Sequence, residues 1–406
     1  MRFLLSTWGS RGDVEPLAGL AVALRELGAE ALVSAPPDED FAELLARAGV
    51  PHLPLGPTVR SVVAREKPPT AEDAFRLAAA LVTARFTTLT EAAEECDALL
   101  ATGLLPAGAR DVAEKLNIPY VFACFQVYGL PSRHFPPGAR PGTPSPQNET
   151  DLRALWEQDA QRVNALYREA LNGHRTAIGL PPVDNVRDHV FTDRALLAAD
   201  PVLCPWKDKT DLDLVQTGAW FLPDERPLPP ELETFLNAGD PPVYVGFGSM
   251  ASYLAPDLAQ TAIQVVRAQG RRVVLAGGWA GLAAIDDRDD CHVIGETSHQ
   301  ALFGRVAAVM HHGGAGTTAT AARAGAPQVI VPQIADQPYS AAQVAELGIG
   351  AAHDGPVPTH ETLSAALEIA LAPETRAKAT ALSPTIRPDG ARTAAQLLLN
   401  DVPHHR

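Results

Sequence analysis

Short apolar segments alternate with amphipathic segments through the first half of the chain. The apolar run FLLST (3–7) is followed by PLAGLAVALRELG, whose leucines and alanines recur at helical spacing up to Gly28, and then by a second apolar run, ALVSAP (31–36). This order predicts a strand, a helix and a parallel strand, the unit of a doubly wound sheet. Further elements of the first half are predicted as strands at 97–102 and 119–125 and a helix at 107–116. We therefore predict an α/β domain here.

A second alternation begins near residue 242. Its strands are predicted within PVYVGFGSM, RRVVLAGG, CHVIGE, AAVMHHGG and PQVIVPQ, with helices up to about Gln269 and Ala324. The proline-rich segment between the two alternations is the best candidate for a linker. We therefore expect a first domain over 1–216, a linker over 217–230 and a second domain over 231–406, with the last helix a candidate to cross back to the first domain. Two such domains would face each other across a cleft, where the carboxyl ends of parallel strands bind ligands.

Two segments interrupt the first-domain pattern and are predicted to be long, irregular loops. Residues 57–70 read PTVRSVVAREKPPT, and residues 131–150 contain six prolines and two glycines. Loops of this length in a compact domain usually bind a ligand or move. Their basic side chains suit either an anionic or phenolic ligand or ordinary solvated charge, and these side chains are Arg60, Arg65, Lys67, Arg133, His134 and Arg140.

Composition and charge limit the classes of function. The chain has 406 residues, 46% of them hydrophobic, and a net charge of −15, which argues against a protein that tracks nucleic-acid phosphates. The four cysteines lack CxxC spacing, so neither a disulfide framework nor a zinc site is expected. No run of eighteen apolar residues occurs, and the first apolar run is too short for a signal peptide. We therefore expect a cytoplasmic protein without a membrane span.

The stretch HHGGAGTT (311–318) lies between an apolar strand and a helix. Its glycines allow the backbone to approach a phosphate closely, and the following helix offers free N–H groups and a partial positive charge. Thr317 and Thr318 can add hydroxyl donors, and His312 can add a ring N–H. This chemistry fits a diphosphate, although the same residues also fit a tight turn with packed histidines. Ser249, in GFGSM, holds the analogous strand-end position one unit earlier and is open to the same two interpretations.

Two other strand ends carry polar side chains. Asp336 and Gln337 follow an apolar strand, where a carboxylate beside a carboxamide suits a polyhydroxylated ligand, although an N-cap for the next helix is the alternative. The first strand ends in GSRGDVEP, which is not GxGxxG, so nicotinamide binding is poorly supported. Asp13 lies at the helix start, where it either removes a proton from a hydroxyl group or caps the helix. Arg11 is either an anion partner or a solvated loop charge.

Together these motifs resemble a known enzyme family. GSRGDVEP, QTGAWFLPDERPL, GFGSM, GETSHQALFGRVAAVMHHGGAGTT and VPQIADQPY are similar, in this order, to motifs of the nucleotide-sugar-dependent glycosyltransferases of glycopeptide antibiotic biosynthesis, the vancomycin type. More broadly they resemble bacterial and sterol glycosyltransferases of family one. The resemblance implies the GT-B fold, in which two Rossmann-like domains face each other across a cleft. It also implies inverting transfer of a hexose from a thymidine or uridine diphosphate sugar to a hydroxyl of a hydrophobic or peptide aglycone.

The resemblance also implies roles for individual residues. Asp13 matches the general base, Asp336 and Gln337 match residues that hold the sugar hydroxyls, and His299 matches a position near the ribose and diphosphate. The remaining expected donor contacts are Ser10, Arg11, Gly12, Ser249, His312, Gly313, Gly314, Ala315, Gly316 and Thr317. The nucleoside diphosphate sugar is a substrate, and neither a cofactor nor a metal is expected.

The sequence departs from the plant members of this group at two places. The tryptophan that stacks on the base is replaced by the stretch GETSHQ, and the first loop carries GSRGD in place of a catalytic histidine. Trp279 is either a donor contact or a packed side chain. The alternatives to a glycopeptide enzyme are a sterol- or flavonoid-type glucosyltransferase, a nucleotide-sugar epimerase, and a non-catalytic helper that binds a nucleotide sugar.

Overall fold

The structure is a computed structural model that describes residues 1–63, 70–138, 149–192, 194–207, 213–248, 257–279 and 281–402. The chain divides into two compact units. The first comprises Met1–Pro201, Pro205–Leu222 and the chain from Pro388 on, and the second comprises Val202–Cys204 and Pro223–Arg387. The break between Leu222 and Pro223 falls inside the predicted linker. Among the described helices, none is both long and apolar enough to span a membrane.

The first unit is built on a parallel sheet. Its strands are β1 (Arg2–Trp8), β2 (Glu30–Ala35), β3 (His52–Pro54), β4 (Ala98–Gly103), β5 (Tyr120–Cys124), β6 (Arg194–Leu197) and β7 (Asp213–Gln216). Their order across the sheet is β3-β2-β1-β4-β5-β6-β7, so the direction of winding reverses between β1 and β4. In the central strand, Leu4 pairs with Leu32 on one side and Leu99 on the other. Both faces of this strand are buried, as expected for a sheet covered on both sides by helices.

Helices cover this sheet. They are α1 (Arg11–Glu26), α2 (Glu39–Arg47), α3 (Val59–Val63), α4 (Ala71–Ala93), α5 (Ala109–Leu116), α6 (Leu152–Ala177), α7 (Val186–Phe191) and, from the chain terminus, α15 (Gly390–Asp401). A Cβ on Gly19 of α1 would lie 2.7 Å from the carbonyl oxygen of Phe221, and one on Gly390 would lie 2.4 Å from that of Ala219. The backbone of 219–221 therefore runs against both helices at a distance that only glycine permits.

The second unit repeats the design with a shorter sheet. Its strands are β8 (Val243–Gly246), β9 (Val273–Ala276), β10 (Cys291–Ile294), β11 (Ala308–His311), β12 (Gln328–Ile330) and β13 (Gly350–Ala352), in the order β10-β9-β8-β11-β12-β13. Its helices are α8 (Pro230–Asn237), α9 (Leu258–Ala268), α10 (His299–Leu302), α11 (Ala315–Arg323), α12 (Gln337–Glu346), α13 (His360–Leu371) and α14 (Pro373–Leu382). Alternate side chains of β8 face two separate cores, because Val243 and Val245 join one apolar cluster while Tyr244 joins the other.

The predicted loops differ in part from the structure. Residues 57–70 do not form a loop throughout, because Val59–Val63 is a short helix. The buried carboxylate of Asp38 stabilises the start of this helix, since its oxygens accept hydrogen bonds from the backbone N–H groups of Val59 (2.7 Å) and Arg60 (2.9 Å). Residues 131–138 contain bends but neither a helix nor a strand, as predicted for an irregular loop. Arg65, Lys67 and Arg140 lie outside the described residues.

Candidate functional site

The winding of the second sheet reverses between β8 and β11, which is where doubly wound sheets bind ligands. His312 follows β11 directly, and its ring lies against the backbone of Gly248, beyond the end of β8, and of Gly314. A Cβ on Gly248 would lie 3.4 Å from the ring Cε1, and one on Gly314 would lie 2.6 Å from the ring Nε2. The two strand ends therefore meet at His312. Ser249 lies outside the described residues.

The preceding histidine, His311, holds the turn together. Its Nδ1 accepts the backbone N–H of Gly313 (3.1 Å), so the ring proton lies on Nε2, which is 2.9 Å from Oε1 of Gln328. The carboxamide of Gln328 in turn donates to the carbonyl oxygen of Thr318 (3.3 Å). Burial lowers the pKa of His311 to about 3. Sequence reasoning did not separate the roles of the two histidines, and it missed Gln328, because only the fold brings that residue beside β11.

Gly313 is a position where glycine is required. Its φ of +93° is in the region that favours glycine, and a Cβ there would lie 2.7 Å from Cγ2 of Ile330. Helix α11 then begins at Ala315, and its N-cap residue, Gly314, provides no side chain to cap it. The first backbone N–H groups of this helix, at the exposed Ala315 and Gly316 and the half-buried Thr317, are available to an anion.

The ring of His312 adds a further polar atom to this turn. Its Nδ1 is buried and has no hydrogen-bond partner among the described residues. Burial lowers the pKa of His312 to about 4, so the ring is neutral near pH 7. A buried ring nitrogen without a partner is uncommon in folded proteins and calls for a ligand or a water molecule. The turn therefore combines an unsatisfied imidazole with the amino end of a helix.

The loop between β12 and α12 carries the second pair of candidate residues. Asp336 is the N-cap residue of α12, but its carboxylate makes no capping hydrogen bond, so the structure does not support the capping alternative. Burial raises the pKa of this carboxyl group above its ordinary value. Gln337 is buried, and its backbone carbonyl oxygen lies 3.2 Å from where a Cβ of Gly313 would stand. The structure thus brings Gln337 against the turn after β11.

His299 is the first residue of α10. Its Nε2 lies 3.0 Å from the hydroxyl oxygen of Tyr244, and its ring stacks on Phe303 at a centroid distance of 4.5 Å. The side chain of Tyr244 reaches along β8, so that a Cβ on Gly246 would lie 2.3 Å from its hydroxyl oxygen. His299 is therefore fixed beside the strand whose carboxyl end leads to Gly248.

In the first unit, Asp13 lies in the first turn of α1, at the reversal point between β1 and β4. Ser10 is the N-cap residue of this helix, and its hydroxyl lies 3.4 Å from Oδ2 of Asp13. A Cβ on Gly9 would lie 2.2 Å from that oxygen, so the carboxylate folds back over the backbone of Gly9. Arg11 is paired with Glu15, at 2.6 Å. Asp13 is therefore not the N-cap residue, and Gly12 is exposed beside it.

One acidic cluster in the first unit has spacing that suits a cation. Asp111, Glu114 and His189 lie close together. The guanidinium of Arg175 lies among them, paired with Asp111 and, at 2.8 Å, with Glu114. This arginine supplies the positive charge that the carboxylates need, so the cluster is accounted for as an ion-pair network joining α5, α6 and α7.

The two doubly wound parallel sheets are the architecture of the GT-B fold. Solved structures share this fold. The glycosyltransferase of kitacinnamycin has a TM-score of 0.74 at 20% identity over 99% of both chains, and the spinosyn forosaminyltransferase SpnP has 0.73 at 19% over 98% of this chain and 99% of that chain. A family model described as erythromycin biosynthesis protein CIII-like, C-terminal domain, matches residues 272–394.

Sequence comparison places the chain more closely. It is 56% identical to vancomycin aglycone glucosyltransferase over 99% of this chain and 98% of the relative, and 50% identical to dTDP-epi-vancosaminyltransferase over 99% and 98%, both from Amycolatopsis orientalis. The chain therefore belongs to the family of vancomycin-type glycosyltransferases. The resemblance noted in the sequence is confirmed, and the protein is an inverting glycosyltransferase that uses a nucleoside diphosphate sugar.

Proposed function

We propose that this enzyme transfers a hexose from a thymidine diphosphate sugar to a hydroxyl group of a glycopeptide aglycone of the vancomycin kind. The acceptor class is supported by the 56% identity to vancomycin aglycone glucosyltransferase over 99% of the chain. The thymidine nucleotide is supported by the 50% identity to dTDP-epi-vancosaminyltransferase. The second unit is the donor-binding domain in this proposal and the first unit is the acceptor-binding domain.

The donor diphosphate is proposed to bind at the turn after β11. The observation that carries this assignment is the buried, unpartnered Nδ1 of His312 beside the uncapped amino end of α11. Backbone N–H groups of the turn and of the first helical residues would donate to the phosphate oxygens, and the hydroxyl of Thr317 would add a side-chain donor. The proposed contacts of the turn are His312, Gly313, Gly314, Ala315, Gly316 and Thr317.

Other residues complete the proposed donor site. His299 would lie near the ribose and the diphosphate, and Ser249, which is outside the described residues, is proposed as a further diphosphate contact. Asp336 and Gln337 would hold the sugar hydroxyls. Burial raises the pKa of Asp336, so a hydrogen bond from a sugar hydroxyl would help to keep its carboxylate ionised. Ser10, Arg11 and Gly12 are proposed to contact the donor from the first domain.

Asp13 is proposed to be the general base. Its carboxylate removes the proton from the acceptor hydroxyl while the oxygen attacks the anomeric carbon, and the bond from that carbon to the diphosphate oxygen breaks on the opposite face. The anomeric configuration is thereby inverted. Negative charge grows on the departing diphosphate, where the dipole of α11 and the ring of His312 stabilise it. This reaction requires neither a metal nor a cofactor in the proposal. None of the four cysteines forms a disulfide, which fits work in the reducing cytoplasm.

The proposal is tested by incubating the protein with vancomycin aglycone and either dTDP-glucose or UDP-glucose. Mass spectrometry should detect the aglycone plus one hexose, with dTDP-glucose used more efficiently, and NMR of the product should show a β-linkage from the α-linked donor. The epimerase and helper alternatives predict no transfer. Absence of transfer to this aglycone and to related peptide aglycones, despite donor binding, would contradict the proposed acceptor class.

A further inference from the structure

The side chain of Gln337 makes an unusual set of contacts with its own loop. Its carboxamide oxygen accepts the backbone N–H of Gln333 (2.7 Å) and that of Ile334 (3.0 Å). A carbonyl oxygen has two lone pairs, so both are used by the loop between β12 and α12. The side chain is only 4% exposed. The oxygen that would have accepted a hydrogen bond from a sugar hydroxyl is therefore already engaged.

These bonds hold a strained residue. Ala335 has a φ of +57°, in the left-handed region that non-glycine residues rarely adopt. The backbone N–H of Gln337 also donates to the carbonyl oxygen of Ile334 (3.2 Å), which closes a turn with Ala335 at its second position. Positive φ at that position strongly favours glycine. The conformation of Ala335 thus depends on contacts made elsewhere in the loop, and the carboxamide of Gln337 provides two of them.

The strained turn sets the position of the residue between Ala335 and Gln337. Asp336 has its carboxylate partly buried and makes no capping hydrogen bond to α12. Ala335 directly precedes Asp336 in the chain. If Ala335 relaxed to a negative φ, the side chain of Asp336 would therefore point in a different direction. Gln333 also fixes this loop, because its carboxamide donates to the carbonyl oxygens of Val331 (3.1 Å) and Pro356 (3.3 Å).

We infer that Gln337 is a positioning residue: its carboxamide oxygen holds Ala335 in the left-handed conformation and so orients Asp336 towards the donor sugar. This role concerns the carboxamide oxygen alone and adds to the holding of sugar hydroxyls that the family resemblance implies for Gln337. It rests on the proposed function, in which Asp336 binds the sugar of the nucleoside diphosphate donor.

The test compares Gln337→Ala with the double variant Ala335→Gly/Gln337→Ala. Loss of the two hydrogen bonds should lower kcat/KM for dTDP-glucose about 10- to 100-fold. Affinity for thymidine diphosphate, which has no sugar, should stay within about twofold by calorimetry, because the turn after β11 keeps its own contacts. Glycine tolerates positive φ, so kcat/KM of the double variant should be at least about fivefold higher than that of Gln337→Ala. The Ala335→Gly single variant supplies the reference for the double variant.

Recovery by Ala335→Gly is the decisive result, since a sugar ligand lost at position 337 cannot be restored by a backbone change at position 335. No recovery in the double variant would overturn the inference. Wild-type protein that binds neither thymidine diphosphate nor dTDP-glucose would instead contradict the proposed function, which separates the two failures. Gln343→Ala, a half-buried glutamine of the same helix whose carboxamide bonds Glu346 at 3.0 Å, is the matched control. If Gln337→Ala does not fold, Gln337→Asn, which is too short to reach both N–H groups, replaces it in both backgrounds.

Discussion

At the scale of single residues, two adjacent histidines have different tasks. His311 is fully buried and uses both ring nitrogens, one for the backbone of Gly313 and one for Gln328. His312 has a buried Nδ1 without a partner among the described residues, at the start of the proposed diphosphate site. The difference follows from position. His311 is the last residue of β11 and bonds Gln328 of the neighbouring strand β12, whereas His312 lies beyond the end of the strand. Substitutions of the two histidines should therefore affect different properties.

His312→Ala should weaken donor binding more than folding. A hydrogen bond to a charged group contributes about 1.5–3 kcal/mol, so affinity for thymidine diphosphate should fall about 10- to 100-fold. Calorimetric titration measures this loss, and thermal unfolding checks that the variant is folded. His292→Ala, a histidine that stacks on Phe235 at the far strand β10, is the control and should leave the affinity unaltered. Unchanged affinity in His312→Ala would remove this residue from the donor site.

Asp13→Asn tests the proposed general base. The amide keeps the shape of the side chain but cannot take a proton, so kcat should fall about 10²- to 10⁴-fold. Donor affinity should change little, because the residue acts on the acceptor hydroxyl. Asp40→Asn, an exposed carboxylate of α2, serves as the control in the same turnover assay. Wild-type turnover in Asp13→Asn would exclude Asp13 as the base.

At the scale of elements, the β11–turn–α11 unit depends on glycines for two separate reasons. Gly313 is needed by the fold, because of its positive φ and the nearby methyl group of Ile330. Gly316 has no atom within 4 Å of a Cβ position, so the fold would accept a side chain there. Gly316 lies in the first turn of α11, where its lack of a side chain leaves room for the proposed diphosphate to approach the backbone. Stability and binding should therefore respond separately to substitutions at these glycines.

Three glycine-to-alanine variants test this separation. Gly313→Ala should lower the free energy of unfolding by about 1–2 kcal/mol or more, from its positive φ and the steric clash. Gly316→Ala should not lower it, but should weaken binding of thymidine diphosphate. Gly173→Ala, within α6 and also without close atoms, should add about 0.5–1 kcal/mol of stability with no effect on binding. Denaturant titration and calorimetry measure the two quantities. Equal binding losses at Gly173 and Gly316 would contradict the assignment.

The same turn predicts a dependence of stability on pH. His311 has an ordinary pKa near 6.5 when unfolded and about 3 when folded, so below pH 6.5 the unfolded chain binds a proton that the folded chain does not. The stability provided by neutral His311 is complete above pH 6.5 and decreases by up to about 1.4 kcal/mol per pH unit as the pH falls towards 3. Protonation of Nδ1 would also remove its hydrogen bond with Gly313. His311→Gln should be less stable at pH 7, but its free energy of unfolding should decrease less steeply as the pH falls from 6.5 towards 3. Urea titrations at several pH values measure this dependence. The same pH dependence in wild type and variant would contradict this role.

At the scale of the whole molecule, the sequence predicted the sheets better than the loops. Apolar runs such as 3–7 and 97–102 coincide with β1 and β4 to within a residue or two, since buried parallel strands need continuous apolar side chains. Short edge strands such as β13, with the sequence GAA, give no such signal. The helix at Val59–Val63 was not predicted, because its cap comes from Asp38, a residue about twenty positions away that only the fold brings near.

The candidate site follows the same rule. Strand-end motifs and the family resemblance indicated His312, Gly313 and Asp336 from the sequence alone. The sequence did not show that His311 supports the turn or that the oxygen of Gln337 is bonded to its own loop, because both depend on tertiary contacts. Residues that carry a proposed ligand-binding group could therefore be named from type and spacing, whereas residues that hold the surrounding turns in place could not.

The most direct test is a crystal structure of the protein with bound thymidine diphosphate. The diphosphate oxygens should lie about 3 Å from backbone N–H groups between Gly313 and Thr317, with a ring nitrogen of His312 also within hydrogen-bond distance. Well-ordered nucleotide whose diphosphate makes no contact with the turn after β11 would contradict the proposed donor site and the mechanism built on it.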